Sequence, residues 1–60
     1  MKLLIELEMD NAAFDEGMRR YEAASILKDL ADKIERRDID DTFVCHDSNG
    51  NTVLHAEVTE

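Results

Sequence analysis

AASILKDLADKIERR, residues Ala23 to Arg37, places its apolar side chains at Ala23, Ile26, Leu27, Leu30, Ala31 and Ile34. Recurrence at i, i+3, i+4 and i+7 is the signature of a helix with one buried stripe. The segments on either side read as strands or connections, so this helix supplies one whole layer of the core. Its acids and bases support it locally: Asp29 stands four residues before Lys33, and Asp32 four before Arg36. Each such pair contributes a few tenths of a kcal/mol, roughly 0.2–0.5. Arg36 and Arg37 fall in the last turn, where cations complement the helix dipole.

Upstream, KLLIELEM at residues 2–9 alternates, with Leu3, Ile5, Leu7 and Met9 on one face and Leu4, Glu6 and Glu8 on the other. That is the pattern of a half-buried strand. Residues 10–22, DNAAFDEGMRRYE, form a loop with a short turn, and the helix is expected to start near residue 20. Asp10 and Asn11 are cap or turn formers, and Gly17 weakens any helix through this region by roughly 1 kcal/mol. Phe14 is expected to plug one end of the core. Tyr21 falls opposite the buried stripe.

Downstream, TFVCHDSNGNTVLHAEVT at residues 42–59 carries Asn49-Gly50 between two β-prone runs, a strong hairpin cue. A two-residue turn there pairs His46 with Val53, Cys45 with Leu54, Val44 with His55 and Phe43 with Ala56. Phe43, Cys45, Leu54, Ala56 and Val58 then face the helix. Val44, His46, Val53, His55 and Glu57 occupy the other face. The expected fold is α+β, in the order β-α-β-β: a single domain over residues 1–60, its three-stranded antiparallel sheet covered on one face by one amphipathic helix. A right-handed crossover sets the first strand beside the last; beside the second is the alternative.

Sixty residues bury only about 60% of the surface exposed by the unfolded chain, so stability is marginal without some addition to the core. One cysteine, Cys45, leaves no internal disulfide and suits a reducing compartment. Association with a copy or a partner is the addition to expect. No signal peptide or membrane-spanning run is read, which places the chain in the cytoplasm. Fifteen acids against seven bases give a net charge of −8. Such a field disfavours nucleic acid and membrane as direct partners and favours basic protein surfaces.

No residue set specifies a reaction, and neither a cofactor nor a metal is expected. His46 and His55 are diagonal neighbours without a third ligand, too few for a metal site. Cys45 and His46 point to opposite faces and cannot form a nucleophile–base pair. Asp40-Asp41 and Glu6-Glu8 pair carboxylates, yet nothing indicates a cleft between them. DSNGN has the composition of a calcium loop but lacks the later glutamate. The surface left for function is the sheet's open face, with Leu4, Glu6, Glu8, Val44, His46, Val53, His55 and Glu57, and an acidic rim at Asp38, Asp40 and Asp41. Proteins that bind DNA present arrays of Lys and Arg, and a small acidic body can occupy such an array and block it.

Asp10 to Phe14 (DNAAF), Ile26 to Glu35 (ILKDLADKIE) and Asp47 to Val53 (DSNGNTV) together resemble the short acidic orphan proteins of bacterial prophages and mobile elements. Those proteins pair an NAAF-like loop with an amphipathic helix and a DxNGN hairpin. The chain departs from them at Gly17 to Tyr21, where a Pro or Ala helix start is more usual. The group includes anti-CRISPR-type inhibitors that bind Cas subunits, some by imitating DNA. The resemblance implies a non-enzymatic inhibitor acting in a bacterial host on a protein with a basic, nucleic-acid-binding surface, possessing no catalytic residues to carry over. The alternative is a small homodimeric accessory protein, structural or regulatory, that pairs through its open sheet face.

Overall fold

A computed structural model describes residues 1–37 and 42–60. The chain runs β1 (Lys2–Leu7), two 3-10 turns (Ala12–Phe14 and Glu16–Met18), α1 (Arg19–Arg36), β2 (Phe43–His46) and β3 (Thr52–Thr59). The sheet order is β1-β3-β2, antiparallel throughout, so the first strand does lie beside the last. Among the described residues no helix is long and apolar enough to cross a membrane.

The core is Phe14, Ile26, Leu30, Phe43, Cys45, Val53, Leu54 and Ala56, with Leu7, Met9, Ala13, Ala23 and Ile34 packed around it. The helix stripe therefore runs Ala23, Ile26, Leu30, Ile34; Leu27 and Ala31 lie beside it, exposed. Phe14 is the expected plug, held by a 3-10 turn in which its N–H donates to the Asn11 carbonyl at 2.9 Å. Tyr21 is exposed on the first turn of α1, with the Arg20 guanidinium 4.9 Å from its ring centre. The anticipated i, i+4 ion pairs, Asp29–Lys33 and Asp32–Arg36, are both formed.

Two expectations need correction. The hairpin loop has three residues, Ser48 to Asn49 to Gly50, rather than two. Asp47 N–H donates to the Asn51 carbonyl at 2.9 Å, and Gly50 N–H closes a turn onto the Asp47 carbonyl at 3.0 Å. Gly50 takes φ +88°, the left-handed conformation that follows a type I turn in three-residue hairpins. Phe43–Ala56, Val44–His55 and Cys45–Leu54 pair as expected, but His46 faces Thr52. The extra loop residue is absorbed by a bulge at that shift, which breaks strict alternation. Val53 is consequently 1% exposed and belongs to the core, next to Leu54, instead of the open face.

The second correction concerns β1. Leu3, Ile5 and Leu7 pair with Val58, Ala56 and Leu54 on the helix side of the sheet, as the alternation requires. Leu7 is packed, yet Leu3 is 38% and Ile5 46% exposed. The helix packs on β2 and on the Ala12–Phe14 turn, at the opposite side of the sheet from β1. A helix about 10 Å across covers roughly two strands spaced about 4.8 Å apart. The third strand is left without a lid.

Candidate functional site

The open face is built by cross-strand pairing. β1 and β3 set Leu4 opposite Glu57 and Glu6 opposite His55, while β2 sets Val44 beside His55. Leu4, Glu6, Val44, His55 and Glu57 thus share one patch around a shallow depression of about 480 Å³. Leu4 is 50% and Val44 44% exposed, one on each side of His55 and Glu57 of the middle strand. Glu8, one residue beyond β1, and His46, the last residue of β2, are exposed at the hairpin end. Of the residues singled out from sequence, Val53 alone among those described turns away, into the core. Asp38, Asp40 and Asp41 lie outside the described residues.

Charge is unevenly divided along the sequence. Six of the seven bases fall in residues 19–37 with only four of the fifteen acids, so that segment carries +2. Lys2 is the sole base against eleven acids elsewhere, which leaves −10 over residues 1–18 and 38–60. The exposed carboxylates of Glu6 and Glu57 belong to this acidic part and stand among apolar side chains.

Asp47 is the polar residue that sequence reasoning missed. Its carboxylate is buried and accepts from the N–H groups of Asn49 and Asn51, both at 2.9 Å. It also accepts from Nδ2 of Asn11 at 3.1 Å and of Asn51 at 3.2 Å. Burial opposes its ionisation, but the donors of Asn51, Asn49 and Asn11 outweigh that and hold its pKa below the ordinary value. Asp47 ties the NAAF turn to the hairpin. A sequence signal existed: an aspartate two residues before a turn amide forms an Asx turn. Glu22 completes the clasp, its Oε2 accepting the Ser48 N–H at 2.7 Å. Asp47 is therefore a structural organiser of DSNGN.

Cys45 is fully buried; burial raises its pKa, and the nearby Lys33 ammonium, 3.9 Å from Sγ, only partly offsets this. The group stays a thiol at neutral pH, which disfavours nucleophilic chemistry. No group of three or more His, Cys, Asp and Glu side chains converges to hold a metal among the described residues. Comparison with protein-family models, curated proteins and solved structures returned no match for the chain.

Proposed function

We propose that the chain is a binding protein that inhibits a bacterial defence complex, anti-CRISPR-like, by laying its acidic sheet side on a basic nucleic-acid-binding protein surface such as that of a Cas subunit. The observation that carries this reading is the division of charge: +2 over residues 19–37 and −10 over the rest. The open face, with Glu6, Glu57 and the exposed Leu4 and Val44, supplies both a charge complement and apolar area. The likeness of DNAAF, ILKDLADKIE and DSNGNTV to prophage and mobile-element proteins supports the same host and target class.

The test is competition. A partner captured from bacterial lysate by the full chain should release it when duplex DNA is added, and binding should weaken as salt rises. Changing Glu6, Glu8, Asp40 and Asp41 together to Lys should reduce affinity at least a hundredfold. Undiminished binding by that variant would rule out competition for a nucleic-acid site. A second reading, a homodimeric accessory protein that pairs through its open sheet face, is favoured by the exposure of Leu4 and Val44 on that face.

A further inference from the structure

We propose that β1 is a self-pairing edge, and that two copies of this chain join antiparallel β1 strands about a two-fold axis at Leu4 into a six-stranded sheet. The proposal rests on the strand's unpaired edge and does not require the inhibitor reading, although Leu4 and Glu6 also belong to the open-face patch.

The backbone gives the first argument. Glu8 N–H donates to the Val53 carbonyl at 2.8 Å, in the same register that sets Glu6 opposite His55 and Leu4 opposite Glu57. Backbone groups in an antiparallel strand alternate sides, so Lys2, Leu4 and Glu6 turn theirs toward β3. Leu3, Ile5 and Leu7 turn theirs outward, where no described strand meets them. A strand of this length with an uncovered, unpaired edge is a template for another strand.

The side chains give the second, and they select the partner. In antiparallel self-pairing centred on Leu4, residue 3 meets residue 5 of the copy and residue 2 meets residue 6. Leu3 and Ile5 exchange their outward hydrogen bonds with Ile5 and Leu3 of the second copy. Leu4 meets Leu4, and the Lys2 ammonium stands opposite a Glu6 carboxylate twice, once on each side of the axis. These last pairs are of the non-hydrogen-bonded kind, in which facing side chains are closest. Shifting the centre to Ile5 sets Leu4 against Glu6 instead, and shifting it to Leu3 sets Lys2 against Leu4. Only the Leu4 register matches charge with charge and apolar with apolar. The arrangement is isologous and closes at two copies, so it does not propagate into fibres. It also lays Leu3 of one copy beside Ile5 of the other, on the side of the sheet where α1 leaves both uncovered.

Sedimentation velocity of the full chain across about 10 µM to 1 mM should show a monomer–dimer equilibrium, in keeping with the small area of one strand pair. Lys2→Glu and Glu6→Lys should each weaken association about tenfold, because each replaces two attractive pairs with two repulsive ones. The double variant Lys2→Glu/Glu6→Lys keeps the net charge and should restore the wild-type constant. Both side chains are exposed, so the monomer fold is retained in all three. A monomer throughout that range would overturn the proposal. So would a dimer indifferent to the single swaps, one not restored by the double swap, or one broken by Val44→Glu, which marks pairing through the open face.

Discussion

The two edges of the sheet are treated differently. β2 has four residues, lies under α1, and has its outward carbonyl at Val44 taken by the Lys33 ammonium at 2.7 Å. β1 has six residues, no helix over it, and three residues with outward backbone groups that no described residue meets. Short length, cover and a lysine are the usual protections of an edge strand. One edge has all three, whereas the other is longer, uncovered and carries its only lysine, Lys2, at its very start. The lesson is that a single helix on three strands must choose a side, and the side it abandons is where association becomes available.

The largest test of this asymmetry compares truncations on the two sides. Phe43→Ala, at the covered edge, removes a fully buried ring and should cost about 3–5 kcal/mol, enough to unfold most of a domain this small. Ile5→Ala, at the open edge, should cost about 1 kcal/mol or less in dilute solution, since nearly half of its side chain is already in water. Urea denaturation at micromolar protein measures both. Comparable losses would mean that β1 is as well packed as β2.

Lys33→Met comes next. It keeps the stem that lies against the sheet and removes the cap on Val44 and the ion pair with Asp29, which spans 3.4 Å. With both groups partly in water, the expected loss is about 1 kcal/mol. Lys33 is also what lowers the Cys45 pKa against burial, so native-state alkylation of Cys45 should slow further in this variant. Faster alkylation would show instead that the edge opens once the lysine is gone.

The smallest effect is visible only in acid. Asp47 has a folded pKa below its unfolded value of about 3.9. Its contribution is complete above that unfolded value and is lost as pH falls through the lower folded one. The wild type should therefore lose hairpin stability below about pH 4. Asp47→Asn, less stable at neutral pH, should lose less across the same window. Equal acid sensitivity in the two would show that Asp47 is not the titrating group. Chemical shifts of Asn49 and Asn51 amides read this locally.

Much of the fold was legible in residue spacing. The helix with four of its six expected stripe positions, the alternation of β1, the hairpin around Asn49-Gly50 and the antiparallel sheet followed from periodicity and turn chemistry; Leu27 and Ala31 did not join the core. Three of the hairpin's cross-strand pairs were legible as well. The loop was one residue longer because the Asp47 carboxylate gathers the amides of Asn49 and Asn51, a preference that the Asn-Gly cue does not register. The bulge that compensates then turned Val53 inward, since alternation rules say nothing across an inserted residue. The exposure of Leu3 and Ile5 was hidden for another reason. Alternation tells which face a side chain takes, but not how far across that face the helix extends. The open-face patch of Leu4, Glu6, Val44, His55 and Glu57 was read from sequence because those residues lie away from the bulge.

Amide hydrogen exchange along β1, at low and high protein concentration, tests the unequal edges most directly. In dilute solution Leu4 and Glu6, whose N–H groups bond to β3, should be protected, while Leu3, Ile5 and Leu7 exchange at rates near those of an unstructured chain. At millimolar protein Leu3 and Ile5 should become protected as well. Protection of Leu3 and Ile5 at the lowest concentration would contradict the account by showing the edge already covered within one chain. Rapid exchange at every concentration would contradict it by showing that the edge never pairs.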